Sequence, residues 1–131
     1  MTVGISVTVL NSMLNAERAG GTTNTVVAGT FAKLHTADPG AAGLTAAAVG
    51  DATRKAFTQA ASTVGALVLN GTNPVWTNGG ATETITHISV WDAVTAGNFL
   101  YSVALTPAAA WVATNTFTAT AIGVSIAPVA A

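Results

Sequence analysis

The chain has 131 residues, of which 50% are hydrophobic and only 7% are charged, whereas about 25% of residues are charged in an ordinary soluble domain. It contains no Cys, which excludes a disulfide framework and any thiolate metal site. The four Lys and Arg residues are too few to form a basic nucleic-acid-binding surface, and the net charge is -1. The sequence contains no run of about 18 apolar residues of the kind that would predict a membrane span.

The scarcity of charge indicates a surface that neighbouring proteins cover. A net charge close to zero gives little protection against association, so an apolar, Ala- and Thr-rich surface predicts self-association or binding to other proteins. The start of the chain, residues 1–6, lacks the basic residues and the compact apolar run of a secretion signal, and we expect a protein used without export. The length predicts one domain over residues 1–131.

The first predicted element is an amphipathic helix over residues 7–19. Val7, Leu10 and Leu14 recur at spacings of three and four, which places them on one face of a helix. Ser6 or Thr8 is the expected N-cap. A strand over residues 3–9 is the alternative.

A strand and a tight turn follow. Residues 25–36 are rich in β-branched and aromatic side chains and predict a strand. The strand ends at Asp38-Pro39-Gly40, where Pro39 fixes its own φ, Gly40 tolerates a positive φ, and the Asp38 carboxylate can accept hydrogen bonds from backbone N–H groups beyond it. We predict a structural turn here. Beyond it, residues 46–49 predict one short helical turn, with a long loop as the alternative.

The rest of the chain predicts short strands separated by Gly, Asn and Pro turns. The segment 83–92 carries apolar residues on both of its alternating faces, which indicates a central strand that is packed on each side. We expect the strand 99–105 to end at Thr106-Pro107. The predicted strands of this part are 52–63, 66–69, 74–77, 83–92, 99–105 and 116–127.

This pattern predicts a mainly β fold. One helix precedes a set of short strands, and no strand-helix-strand alternation is present, so we expect an antiparallel β-sandwich or a jelly-roll-like barrel with one N-terminal helix. The β part covers about residues 25–127. The chain has no sustained heptad run and no Gly-X-Y period, which argues against a fibre shaft made by this chain alone.

Candidate catalytic residues are few. Asp38, Asp51 and Asp92 lie at predicted turns or strand ends, where carboxylates usually bond the backbone. His35 and His87 lie in two predicted strands and suggest a metal site only if a third ligand joins them. No phosphate-binding loop or nucleophile elbow is present. We therefore expect no enzyme activity, no cofactor and no metal.

Two tryptophans are candidates for an interface. Trp76 and Trp111 each follow a Pro- or Ala-rich stretch near a predicted loop. Anchoring at a protein surface is the functional interpretation, and packing in the core is the alternative. The same aromatic faces would also suit a carbohydrate-binding platform, whereas Trp91 lies in the predicted central strand and is expected in the core.

Two segments carry a resemblance to a known family. Leu34 to Gly40 reads LHTADPG, and Thr86 to Ala93 reads THISVWDA. Together with Ala52-Thr53-Arg54 and the segment 97–100, in this order and spacing, they resemble small bacteriophage virion proteins that are named tail-fibre-like or minor structural proteins, with related folds that decorate phage heads. The resemblance implies a virion structural protein that is assembled in the host cytoplasm and has no cofactor.

The resemblance and the composition together suggest a function. A small, neutral, interface-rich protein suits a head decoration or minor capsid protein that binds the major capsid protein or other virion proteins and forms homo-oligomers. A minor tail or tail-fibre-associated protein is the alternative. A carbohydrate-binding module that uses Trp76 or Trp111 is the less favoured third possibility.

Overall fold

The computed structural model describes residues 4–18, 29–62 and 65–126, which form one helix and eleven strands. The elements are β1 (Gly4–Ile5), α1 (Val7–Arg18), β2 (Phe31–His35), β3 (Lys55–Ala56), β4 (Thr58–Gln59), β5 (Ala66–Leu67), β6 (Leu69–Asn70), β7 (Val75–Thr77), β8 (Glu83–Trp91), β9 (Phe99–Trp111), β10 (Thr116–Thr118) and β11 (Val124–Ser125). The prediction of a mainly β protein with one N-terminal helix is confirmed.

All strand pairs are antiparallel. The largest sheet has five strands in the order β1-β9-β8-β2-β3, and three two-stranded ladders pair β10 with β7, β11 with β5 and β4 with β6. Within the described residues no sheet closes on itself, so the barrel form of the prediction is not the one found. None of the described helices has the length and apolar character needed to cross a membrane.

One hydrophobic core joins the large sheet to the small ladders. Ala32, Leu34, Ile88 and Val90 of β2 and β8 are fully buried, and side chains from outside the large sheet pack in the same cluster. The buried contributors from outside the sheet are Ala48, Phe57, Trp76, Ala119 and Ile122. The ladders therefore cover one face of the five-stranded sheet, which is the arrangement of a sandwich.

The central strand is β8. It pairs with β2 on one side and β9 on the other, and its last four residues, 88–91, are all buried. Because successive side chains of a strand point to opposite faces, an unbroken buried run means that both faces are covered at this end. The prediction of a central strand that is packed on each side is confirmed.

Strand β9 corrects the expectation that Thr106-Pro107 ends a strand. It continues to Trp111, and its register against β8 jumps from the pair His87–Ala104 to the pair Ile85–Ala109. Residues 105–108 therefore form a bulge opposite Thr86. A proline has no N–H to donate to a ladder, and a bulge is where its absence is tolerated.

Helix α1 begins at a serine cap. Ser6 Oγ accepts a hydrogen bond from the N–H of Val9 at 3.3 Å, and the Ser6 N–H donates to the carbonyl of Leu100 at 2.7 Å. The cap residue therefore starts the helix and fastens it to β9. The strand alternative for residues 3–9 is limited to Gly4–Ile5.

Other predicted elements are shortened or absent. The strand expected over residues 25–36 is found at Phe31–His35, and its residues 25–28 lie outside the described part of the chain. The strand expected over residues 116–127 is found as two short strands separated by residues 119–123, and residue 127 lies outside the described part of the chain. No helical turn forms over residues 46–49, where Ala46 has a positive φ of 51° and Ala47 bridges to His35, so the loop alternative is the one found.

Candidate functional site

The two segments that carry the family resemblance lie side by side in the large sheet. His35 of β2 pairs directly with His87 of β8, and the register continues to Phe31 opposite Trp91. Since side chains alternate along a strand, His35 shares a face with Ser89 and Trp91, while Leu34 and Ile88 point into the core on the other face. The face that carries His35 is covered by the loop after β2.

A buried chain of hydrogen bonds crosses this face. His35 Nδ1 lies 2.8 Å from the carbonyl oxygen of Thr45, and Nε2 lies 2.7 Å from Ser89 Oγ. Trp91 Nε1 donates to the same Ser89 oxygen at 2.8 Å. A carbonyl only accepts, so Nδ1 carries the hydrogen and Nε2 accepts from the Ser89 hydroxyl. The chain thus fixes the tautomer of His35 and joins β2, β8 and the covering loop.

Burial holds His35 in its neutral form. Its pKa is lowered from 6.5 to about 4, chiefly because burial disfavours the imidazolium. The hydrogen bond to the Thr45 carbonyl raises the pKa, and the charges of Lys33 and His87 lower it by smaller amounts. Both ring nitrogens are already hydrogen-bonded, so a metal would have to displace Thr45 or Ser89. Among the described residues no cluster of three His, Cys, Asp or Glu side chains exists that could hold a metal ion.

The predicted turn at Asp38-Pro39-Gly40 has the expected geometry. Asp38 Oδ1 accepts a hydrogen bond from the Gly40 N–H at 2.9 Å, and Gly40 has a φ of 75°. The Thr45 N–H then donates to the Pro39 carbonyl at 3.0 Å. These bonds place the Thr45 carbonyl above His35, so the turn positions the acceptor at the end of the buried chain.

Gly43 brings the same loop against the aromatic end of the sheet. It has a φ of 70°, and a Cβ at this position would lie 2.8 Å from the Trp91 ring. Only glycine allows this approach in a left-handed conformation. Trp91 and Phe99 meet beneath it with ring centroids 5.6 Å apart, so the loop closes over an aromatic pair.

Arg54 covers the same tryptophan. Its guanidinium carbon lies 3.6 Å from the centroid of the Trp91 ring, and its Nη1 donates to the carbonyls of Ala93 at 2.8 Å and Ala96 at 2.5 Å. The stack and the two bonds hold the loop between β8 and β9 against the sheet. In the sequence Arg54 stands only next to another basic residue, Lys55. No local pattern indicated which aromatic ring its guanidinium would contact.

Asp92 stabilises that loop from within. Its Oδ1 accepts from the N–H of Asn98 at 2.7 Å, and its Oδ2 accepts from the Asn98 side-chain amide at 2.8 Å. Asp51 has a comparable role, since it bonds Thr53 and forms an ion pair with Lys55 at 3.0 Å. The three aspartates singled out in the sequence therefore all bond turns or neighbouring backbone.

The interface interpretation of Trp76 and Trp111 is corrected. Their side chains are 0% and 1% exposed, and each indole N–H donates to a backbone carbonyl, that of Thr53 for Trp76 and that of Asn115 for Trp111, both at 3.0 Å. Packing in the core, the alternative, is the one found. A buried indole offers no face to a sugar, so the carbohydrate platform at these residues is lost as well.

Helix α1 presents an unexpected apolar surface. Val9 packs against the core, and Val9 and Met13 line a cavity of about 390 Å³ between the helix and β9. Val7, Leu10 and Leu14 are 71%, 47% and 60% exposed. The sequence placed these three on one face, as the structure does, but this face points to solvent. We call these three residues the helix stripe.

Ser89→Ala tests the buried chain. The change leaves His35 Nε2 and the Trp91 indole N–H without a partner in a fully buried site, and we expect the free energy of unfolding to fall by about 2 kcal/mol or more. Urea denaturation followed by tryptophan fluorescence measures it. Ser12→Ala, on an exposed part of α1 where Ser12 Oγ bonds the Thr8 carbonyl, is the matched control and should change stability by less than about 0.5 kcal/mol. Equal effects of the two substitutions would contradict the structural role of Ser89.

The lowered pKa of His35 predicts a pH-dependent stability. Because the folded-state pKa of about 4 lies below the unfolded value of 6.5, the unfolded chain binds the proton first as the pH falls. The free energy of unfolding should be highest above pH 6.5 and decrease by up to roughly 3 kcal/mol as the pH falls towards 4. Urea denaturation across this range measures the slope. His35→Gln should be less stable at neutral pH and have a much flatter slope, and an unchanged slope in that variant would refute the assignment.

Comparison with known proteins shows a family match over most of the chain. Residues 4–127 match the family model Gp80, which is described as podophage GP4 fiber I protein gp80. The matched range includes β2, the Asp38 turn and β8. None of the curated proteins compared with the chain matches it.

Proposed function

Because this chain belongs to the Gp80 family of podophage fiber proteins, we propose that it is a structural protein of the phage virion that works in or on a tail fibre. The observation that carries the proposal is the family match over residues 4–127, nearly the whole chain. The expectation of a phage structural protein, made from the two sequence segments, is confirmed at this coarser level. Localisation to the virion and contact with other virion proteins follow from it.

The family match changes which location in the virion is favoured for this protein, the tail fibre or the head. The sequence favoured a head decoration or minor capsid protein because the chain is small and nearly uncharged. Low charge suits any protein that is packed against neighbours, whereas the family description refers to a fibre. The tail-fibre alternative is therefore the better supported of the two, and the major capsid protein is no longer the preferred partner.

The location can be tested on the virion itself. We expect antibody-gold labelling of intact particles to mark the fibres, and mass spectrometry of separated heads and tails to find the chain with the tails. Labelling confined to the head would overturn the fibre proposal and restore head decoration. Absence from purified virions would overturn both.

The helix stripe supports association between copies of this chain. Val7, Leu10 and Leu14 have the alternating spacing of three and four residues that forms the seam between two helices. Asn11 beside the stripe is neutral, and Glu17 and Arg18, three and four residues after Leu14, carry opposite charges, so no net charge on this side of the helix repels a second copy. We therefore propose a second copy of the chain as the occupant of this surface.

Substitution of the stripe tests this assembly. The double change Leu10→Lys and Leu14→Lys places charge in the proposed seam, and we expect the oligomer to dissociate to monomer in light scattering coupled to size-exclusion chromatography. Val49→Lys is the control, because Val49 is 82% exposed on a loop away from α1 and should leave the oligomer intact. A parent chain that is monomeric at high concentration would refute the seam. So would a double variant that keeps the oligomeric mass of the parent.

A further inference from the structure

A second surface on the molecule concentrates positive charge. The sequence has only four Lys and Arg residues, and two of them, Lys33 and Arg54, line one concavity of about 360 Å³. Thr53 and Thr95 also line it, and the remaining lining residues are apolar. We call this surface the basic concavity. Its lining includes no residue of the helix stripe or of the hydrogen-bond chain of His35, although Arg54 stacks on Trp91 and lines a neighbouring pocket with Val7.

Arg54 presents donors that the fold does not use. Both bonds to the loop carbonyls come from Nη1, which accounts for two of the five N–H groups of a guanidinium. Within the described residues no acceptor meets Nε or Nη2. The stack on Trp91 and the two bonds fix the plane of the group, so the unused edge is a preorganised fork of the type that binds a carboxylate or phosphate through two parallel hydrogen bonds.

Lys33 adds a second charge, and no ion pair to it is found among the described residues. It projects from β2 on the same sheet face as Trp91, and the ion pair found in the described part of the chain joins Lys55 and Asp51 instead. The acidic residue that interacts with Arg54 is Asp92, whose two oxygens accept from Asn98. Burial first, and then the charge of Arg54, lower the pKa of Lys33, as expected for two cations held close together.

The size and lining of the concavity suggest what carries the anion. About 360 Å³ lies in the lower part of the range of small-molecule sites and exceeds what a bare ion fills. Thr53 Oγ1 donates to Asp51 and keeps lone pairs that can accept a ligand hydroxyl, and Thr95 supplies a second hydroxyl. Charged donors beside hydroxyl groups and small apolar side chains match an acidic sugar.

We propose that the basic concavity binds an acidic monosaccharide unit, with its carboxylate or phosphate held by the free edge of Arg54 and by Lys33. The site is new to this chain and does not depend on the fibre assignment. It also does not use Trp76 or Trp111. Its specificity is for the anionic group, because a neutral sugar would leave two adjacent cations uncompensated.

Binding of simple sugars to the full chain tests the site. In calorimetric or NMR titrations at low ionic strength, glucuronate or glucose 6-phosphate should bind, while glucose should not. The two acidic sugars separate a carboxylate from a phosphate preference. Inorganic phosphate is the fourth probe, and it should bind more weakly than the preferred acidic sugar because it makes no hydroxyl contacts.

Variants separate a specific site from general attraction. Lys33→Gln removes one charge without touching the bonds of Arg54 and should weaken binding about tenfold. Arg54→Lys keeps the charge but loses the fork and should weaken it as well. Lys55→Gln is the matched control, because its partner is Asp51 and it does not line the concavity, and should leave affinity within about twofold.

Several results would overturn the proposal. Glucose or inorganic phosphate that binds as tightly as both acidic sugars would contradict the proposed specificity. Equal weakening by Lys33→Gln and Lys55→Gln would show general attraction in place of a site. Failure of every probe to bind would also overturn the proposal. Thermal unfolding of each variant checks that the fold is kept. Should Arg54→Lys fail to fold, the comparison of Lys33→Gln with Lys55→Gln still decides the question.

Discussion

The hydrogen-bond chain from Trp91 through Ser89 and His35 to the carbonyl of Thr45 is the constraint on which the rest of this end of the molecule depends. It links the central strand, its neighbour and the loop that covers them. Trp91, Ser89 and His35 are buried, so loss of the Ser89 hydroxyl or of the His35 imidazole leaves another polar group without its partner away from water. This hydrogen-bond chain also explains why a serine occupies position 89. A residue without a hydroxyl would leave the imidazole and the indole N–H with no common partner.

The low charge content has a structural counterpart. Several charged side chains of the described residues fasten loops, as Arg54 does above Trp91, Asp92 beside Asn98 and Glu83 at the backbone N–H groups of Val49 and Gly50. Charges that fasten loops to a sheet are not available to keep the outer surface hydrated. The remaining surface is apolar or weakly polar, as expected for a protein that works in contact with neighbours.

Two surfaces with different chemistry lie on the molecule. The helix stripe is apolar, which suits another protein surface of the same kind. The basic concavity holds two cations beside hydroxyl groups, which suits a small anion. The two surfaces are neighbours, because Val7 of the stripe and Arg54 of the concavity line one further pocket. Oligomeric mass and sugar binding are separate measurements, so the two proposals can be tested separately.

The sequence alone determined the features that rest on local periodicity and turn chemistry. Helix α1, the strand β8 and the turn at Asp38-Pro39-Gly40 were predicted because spacing, β-branched content and the φ limits of Pro and Gly act over a few residues. The two segments that carried the resemblance to phage virion proteins are of this kind. Their pairing in the sheet was only a possibility in the sequence.

Tertiary structure decided everything that depends on a partner distant in the chain. Helix α1 has apolar residues on both sides of its axis, and only packing against the core selected Val9 over Val7 and Leu14 for burial. Trp76 and Trp111 are buried because both belong to the hydrophobic core, and the Trp76 indole also reaches the carbonyl of Thr53 from 23 residues away. Pro107 remains in a strand because a bulge opposite Thr86 needs no N–H at that point. The same holds for Arg54, which meets Trp91 37 residues further along the chain. Local propensity does not predict such contacts, because packing between residues distant in the chain determines which side chains are buried.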